Sequence, residues 1–213
     1  MMKINKAGLD LIKEFEGCKL SAYQDEVGVW TIGYGITNSD EEITGVHIRK
    51  GLTITKKTAE EWLEKSLDKK YGPKVMKYDK KYNWNENEYA ALVSFCYNIG
   101  NIDTLTAHGT RSKAVIANKI LLYNKAGKRG VLNGLTKRRK AERALFLKPV
   151  NVIYGTVATT KGGLNLRKTG STKSAILKTM PKGAKVQIIS KGAKWYKVRY
   201  NGTTGWCMGK FIK

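Results

Sequence analysis

Apolar residues Ile4, Leu11, Ile12 and Phe15 recur at roughly helical spacing, behind Asn5, which suits a helix cap, and ahead of Gly17, which suits a helix stop. They predict a short amphipathic helix whose last residue is Glu16. The pattern then turns strand-like, with Tyr23, a polar turn through Asp25-Glu26-Val27-Gly28, and the β-branched and aromatic run Val29-Trp30-Thr31-Ile32-Gly33-Tyr34. A hairpin there folds Asp25 and Thr31 back toward Glu16. Residues 38–54 show only short apolar patches and read as loop or edge strand.

From Thr55, a candidate cap, Ala59, Trp62, Leu63, Leu67 and Tyr71 form one stripe of a helix that Gly72-Pro73 is expected to end. At that spacing Trp62 and Tyr71 read as core residues. Asn85 opens a second helix, with Glu88 three residues on in a capping-box relation and an interior apolar nearly all round. Further helices are predicted over 112–123 and 136–147, separated by a loop at 127–134. Beyond Pro149 the periodicity changes to short strands at 155–159, 164–167, 175–179, 186–190, 195–200 and 204–208. Asn201-Gly202 joins the last two as a two-residue hairpin turn.

The 213 residues are enough for one medium and one small domain, and their 41% hydrophobic share suits a globular chain. No stretch approaches the roughly 18 apolar residues of a membrane span, so membrane insertion is not expected. The start, MMKINKAGLDLIKEFEG, lacks the pattern of a secretory signal and predicts synthesis in the cytoplasm. Cys18, Cys96 and Cys207 are odd in number and widely spaced, and His47 and His108 share no ligand spacing with them. The expectation is reduced, mostly buried thiols, no metal site and no cofactor.

Charge changes the picture more. The net charge is +23, and all 17 acidic residues lie at or before Glu142. Residues 149–213 hold 13 Lys and Arg and no acid, leaving 27 basic against 17 acidic residues, +10, in the first part. A tail so segregated is drawn to polyanions, either nucleic acid or the anionic polymers of a bacterial envelope.

Glycosidic cleavage needs one carboxyl group that keeps its proton near neutral pH and a second that is ionised. Glu16, beside Phe15 and at the negative end of a helix dipole, suits the first role; Asp25, in a polar turn, suits the second, with the Thr31 hydroxyl placed to help hold a water. The stretch Glu16-Gly17, Asp25, Thr31-Ile32-Gly33-Tyr34-Gly35 resembles the signature of the phage-type lysozymes, glycoside hydrolase family 24. Two more stretches carry the likeness: Ala91-Leu92-Val93-Ser94-Phe95 followed by Tyr97-Asn98-Ile99-Gly100, and the Arg-rich segment from Gly134 to Arg143. The resemblance spans residues 4 to about 147 and implies Glu16 as general acid, with Asp25 and Thr31 positioning the attacking water. It marks Tyr34, Asn98 and Arg138 as candidate substrate-binding residues, with Asn98 equally readable as a helix cap and Arg138 or Arg139 as a partner for Glu16. One departure is Ile36, where many members carry His, which implies a missing polar contact.

The tail resembles bacterial SH3-like domains through Gly163-Leu164-Asn165-Leu166-Arg167, Pro181-Lys182-Gly183, Trp195-Tyr196-Lys197-Val198 and Gly205-Trp206. That likeness implies cell-wall binding, with Trp195, Tyr196 and Trp206 as candidate groove residues of which at least one is core. The expectation is therefore an α+β chain: a mainly helical lysozyme-like catalytic domain with a small hairpin sheet at 1–148, then a small all-β SH3-like barrel at 149–213. It would hydrolyse the β-1,4 bond between N-acetylmuramic acid and N-acetylglucosamine in peptidoglycan, with carboxyls about 6.5–9.5 Å apart and inversion at the anomeric carbon. A Gram-positive wall is the implied target and a membrane-permeabilising holin the implied partner for release, with the chain acting as a monomer and not on nucleic acid. The alternatives are a catalytically inactive wall-binding protein and a lytic transglycosylase.

Overall fold

A computed structural model describes residues 2–125, 127, 130–150 and 153–213. Lys128 and Arg129, in the loop expected at 127–134, and Asn151 and Val152, at the expected domain boundary, lie outside the described residues. The chain divides into two compact units, Met1–Val150 and Asn151–Lys213.

In the first unit, helix α1 (Lys6–Glu16) begins where the Asn5 side chain accepts the Gly8 N–H at 3.0 Å, a cap of the kind that contributes about 1 kcal/mol. The Asn5 amide also donates to Asn87 Oδ1 at 2.9 Å, tying this helix start to α6 (Glu86–Ile99). Gly17, at φ 65°, ends α1 by returning its N–H to the Lys13 carbonyl, in a conformation that a side chain would strain. The chain then forms an antiparallel sheet, β1 (Lys19–Gln24), β2 (Trp30–Gly33) and β3 (Ile36–Thr37), with Tyr23 opposite Thr31 and Ile32 opposite Ile36. Ile36 is fully buried in an apolar cluster with Ile32, Ile48 and Trp62. The expected loop at 38–54 contains a helical turn, α2 (Glu41–Thr44), and Ser21 bridges to Thr53.

The stripe beginning at Thr55 forms α3 (Lys56–Ser66), but Gly72-Pro73 does not end the helical path as expected. A wide turn over Leu67–Tyr71, closed by the Gly72 N–H on the Leu67 carbonyl, leads straight into α4 (Gly72–Met76). Pro73 fits there because the first turn of a helix has no carbonyl waiting for its missing N–H. Gly72 marks a close approach: a Cβ on it would lie 2.5 Å from the Tyr89 hydroxyl of α6.

Short helices α5 (Asp79–Tyr82) and α7 (Asp103–Thr106), too brief to show a period, connect to the longer ones. Helix α6 starts with the reciprocal Asn85 and Glu88 capping bonds and is buried on every side from Asn87 to Cys96. Around it pack α1, α4 and α9 (Asn133–Leu147), with α8 (Lys113–Ile120) against α9. Ile12, Leu92, Phe95 and Ile116 are fully buried in this core, each burial contributing about 1.5–3 kcal/mol before entropy.

The second unit is a six-stranded antiparallel sheet in the order β4 (Ile153–Thr156), β7 (Lys185–Lys191), β8 (Trp195–Tyr200), β9 (Thr203–Met208), β5 (Leu164–Arg167), β6 (Ile176–Met180). Irregular register in β7 and β5 bends it around Leu166, Met180, Val186, Val198 and Cys207. Asn201 and Gly202, at φ 44° and 76°, make the tight turn between β8 and β9, as their sequence predicts.

Candidate active site

Glu16 closes α1 with its side chain still partly open to solvent at 22%. Arg138 of α9, buried at 4%, places Nη1 2.6 Å from Glu16 Oε1. The same guanidinium donates Nη2 to the Ser94 carbonyl at 3.2 Å and Nε to Glu142 Oε1 at 3.1 Å, and it lies 5.9 Å from the Phe15 ring. Three helices therefore fix one carboxyl group: α1 carries it, α9 supplies the cation and α6 supplies the acceptor that holds the cation in place.

Behind Arg138 the charges continue inward. Glu142 is fully buried and accepts from Ser94 Oγ at 2.8 Å and from Arg139 Nη2 at 3.1 Å. Arg139, also fully buried, donates to Asn98 Oδ1 at 3.0 Å and stacks over Phe95 at 4.9 Å. Its Nε stands 2.9 Å from Glu142 Oε2, yet neither atom completes a hydrogen bond, so that contact is coulombic. Burial pushes the Glu142 carboxyl up and the Arg139 guanidinium down to about 10, the same desolvation cost acting on both partners. Two arginines thus stand opposite two glutamates, with Glu16 at the open end and Glu142 at the buried end.

Aromatic hydroxyls border Glu16 on another side. Burial first, and the Glu16 carboxylate next, push the Tyr97 phenol well above its ordinary value, so it stays a donor, to the Tyr34 carbonyl at 2.7 Å. Tyr71, its ring 4.8 Å from that of Tyr97, is raised to about 12, chiefly by burial. Gly35 lies beside the acid, where a Cβ would sit 3.7 Å from Glu16 Oε2.

On the hairpin, Asp25 is exposed, and its Oδ1 accepts the N–H groups of Val27 and Val29 at 3.0 and 2.8 Å. Those bonds fix the turn and leave Oδ2 without a protein partner among the described residues. Thr31, 5% exposed, donates its hydroxyl to the Val29 carbonyl at 3.0 Å and keeps lone pairs to accept with. Tyr23 stands opposite Thr31, and its phenol is raised by burial, then by Asp25, then by Glu16. One ring thus feels both carboxylates.

Residues 13–142 match the phage lysozyme family model, more than half of the chain. The chain belongs to the phage lysozyme family. Residues 162–213 match the bacterial SH3 domain model. The endolysin of Lactococcus phage c2 is 41% identical over 152 residues, covering 70% of this chain and 62% of the relative, so this chain spans less than two thirds of that relative's length. The endolysin of Bacillus phage B103 is 34% identical over 202 residues, covering 88% of this chain and 72% of its own length. Among solved structures, the muramidase domain of SpmX from Asticaccaulis excentricus superposes with a TM-score of 0.56 at 32% identity, over 70% of this chain and all of that one. A mutant of P22 lysozyme gives a TM-score of 0.54, also at 32% identity, over 70% of this chain and all of the other.

In this family member the substrate candidates fall in different places. Tyr34 is 4% exposed and belongs to the core, and Arg138 is committed to Glu16, Glu142 and Ser94, so neither side chain is open to a ligand. Asn98 is exposed, sits within the last turn of α6 and holds Arg139, while Gly100 makes the capping bond to Cys96. Of the two candidate arginines, Arg138 is the one paired with Glu16. In the SH3-like unit Tyr196 shares the inward face with Val198 and packs on the core, whereas Trp195 lines a surface cavity. Trp206 stands between buried Gly205 and Cys207, on the face away from that core, opposite Lys197 and Arg167 in register.

Sequence reasoning missed Tyr23, Tyr97, Ser94 and Glu142 as neighbours of the site. Glu142 carried one usable signal, an acid at i+4 from Arg138 on a helix otherwise rich in cations. All three cysteines are free, and two of them, Cys96 and Cys207, are buried, in line with the expectation of mostly buried thiols, while Cys18 is exposed. Among the described residues no cluster of His, Cys, Asp or Glu is grouped as a metal site, and no helix is long and apolar enough to cross a membrane.

Proposed function

We propose that the chain is a modular endolysin that hydrolyses the β-1,4 bond between N-acetylmuramic acid and N-acetylglucosamine in peptidoglycan. Its SH3-like domain holds it to the wall, where anionic polymers add to the attraction. In this reading Glu16 donates its proton to the glycosidic oxygen of the leaving sugar. Asp25 takes a proton from a water that Thr31 helps to hold, and that water attacks the anomeric carbon from the opposite face, inverting it. Arg138 keeps the Glu16 carboxyl in one orientation and stabilises the carboxylate left after proton transfer. Glu16 on its buried arginine, with the Asp25 turn bordering the same tyrosine, is the observation that carries the reading. The reading brings with it a holin for access to the wall and a monomer as the working form.

Product analysis of digested peptidoglycan tests it. New reducing N-acetylmuramic ends of inverted configuration are expected. Anhydro ends would make the protein a lytic transglycosylase, retained configuration would make Asp25 a nucleophile, and undigested wall with tight binding would leave only a wall-binding protein.

A further inference from the structure

The SH3-like unit contains a half-open cavity of about 230 Å³, and its two sides differ in chemistry. One side is apolar. Trp195 and Met208 face each other across β8 and β9 as direct strand partners, which sets their side chains next to one another. The backbone of Gly170 packs on the indole so closely that a Cβ there would lie 3.2 Å from its Cγ. The ring is thereby held as a fixed wall rather than a swinging flap.

The other side offers donors. Arg167 spends Nη1 on the Ser174 carbonyl at 2.7 Å, which anchors the guanidinium and leaves its other N–H groups without a protein partner among the described residues. Asn165 accepts the Thr179 hydroxyl at 3.1 Å through Oδ1, so its NH₂ is left to donate. Lys161 and Thr172 also line the cavity. Residues 149–213 contain no Asp or Glu, so no side-chain carboxylate of the domain neutralises these cations.

A cationic ligand would be repelled here, and a neutral sugar would leave the guanidinium without a counter-charge. A lone peptide carboxylate would satisfy Lys161 and Arg167 but not explain the other eleven of the 13 cations over the same 65-residue span. Charge of that density suits a ligand whose negative charge repeats. We infer that the cavity binds one repeat of a polyol-phosphate wall polymer, its phosphodiester between Lys161 and Arg167 and its carbon chain against Trp195 and Met208. The inference rests on the proposed wall-binding role of this domain and names the ligand for it.

The test is sedimentation of the full-length chain, carrying Glu16→Gln to prevent digestion, with purified walls before and after acid extraction of their phosphate polymer. Extraction is expected to weaken binding at least tenfold. Lys161→Glu and Trp195→Ala are each expected to weaken binding to intact walls about tenfold and to leave binding to extracted walls unchanged. Soluble polyol phosphate is expected to compete, and duplex DNA at equal charge to compete far less. Equal binding to intact and extracted walls would overturn the inference while leaving wall binding standing, with peptidoglycan itself as the ligand. Equal competition by DNA would overturn it in favour of unspecific charge attraction. Failure to bind either wall would overturn the inference together with the wall-binding reading. Trp195→Phe, which keeps an aromatic wall, is expected to bind nearly as the parent chain, and its failure alongside Trp195→Ala would reduce the residue to a structural role.

Discussion

Arg138 reaches across 122 residues of sequence to set its Nη1 2.6 Å from the Oε1 of Glu16. The guanidinium is buried and the carboxyl is partly exposed, so the member held by several partners lies inside and the other reaches solvent. Arg138 is itself held by Glu142 and by the Ser94 carbonyl, which makes the orientation of Glu16 a property of the helix packing rather than of the loop that follows it.

Replacing Glu16 by Gln keeps the side chain's shape and its contact with Arg138 but removes the proton donor of the proposed mechanism. Lytic rate on purified peptidoglycan should fall by about 10²–10⁴-fold, the usual contribution of a general acid. Circular dichroism and binding to walls should be unchanged. A variant that clears walls at the parent rate would remove Glu16 from the mechanism.

Glu142→Ala deletes the carboxylate beside two buried guanidinium groups. Breaking a buried ion pair from one side costs about 3–5 kcal/mol, to be read from urea unfolding. Adding Arg139→Met should recover part of that loss by restoring the charge balance. Full stability in the single variant would show that the cluster contributes nothing to the fold.

Gly72→Ala places a methyl 2.5 Å from the Tyr89 hydroxyl and 2.9 Å from the Leu67 carbonyl. Overpacking of this kind costs about 1–3 kcal/mol. Combining it with Tyr89→Phe, which takes away the hydroxyl, should relieve some of the loss; no relief would place the strain at the Leu67 carbonyl instead.

The Cys96 thiol is pushed up to about 12 and that of Cys207 to about 11, both by burial. At pH 8 neither should react with a thiol reagent in the folded chain, whereas exposed Cys18 should. Mass spectrometry of the labelled protein should find one adduct when native and three in denaturant.

Asp103 accepts the Tyr78 hydroxyl and pairs with Lys77 at 3.2 Å, and the Tyr78 hydrogen bond is the main cause that holds its carboxyl below the usual value. A carboxyl depressed on folding adds stability above its unfolded pKa and loses it as pH falls through the folded one. The advantage of the parent chain over Asp103→Asn should therefore be present at pH 6 and fade below about pH 4, as followed by denaturant midpoints. A constant difference across that range would show that Asp103 acts without its charge.

Several elements were legible without coordinates because they rest on neighbours in sequence. The Asn5 and Asn85 caps, the stop at Gly17, the Asn201-Gly202 turn and the strand alternation around Val198 are decided within a few residues, where backbone sterics and local hydrogen bonds dominate. The same locality misled at Gly72-Pro73. The pair reads as a break, yet the helical path continues because α6 lies close enough to demand a glycine and Pro73 falls in a turn that does not use its N–H.

What the sequence alone determined is the longer helices, the hairpin and the strand-rich tail, the charge division between the two units and the short Glu16, Asp25, Thr31 signature. What only the tertiary structure decided is which of two adjacent arginines meets Glu16, that Glu142 lies buried behind it, and that Trp195 rather than Tyr196 lines the cavity. Consecutive residues on a helix or strand point in different directions, and a string of letters does not say which direction faces a neighbour. That choice belongs to the packing of α9 against α1 and α6, and to the face of β8 that closes on its core.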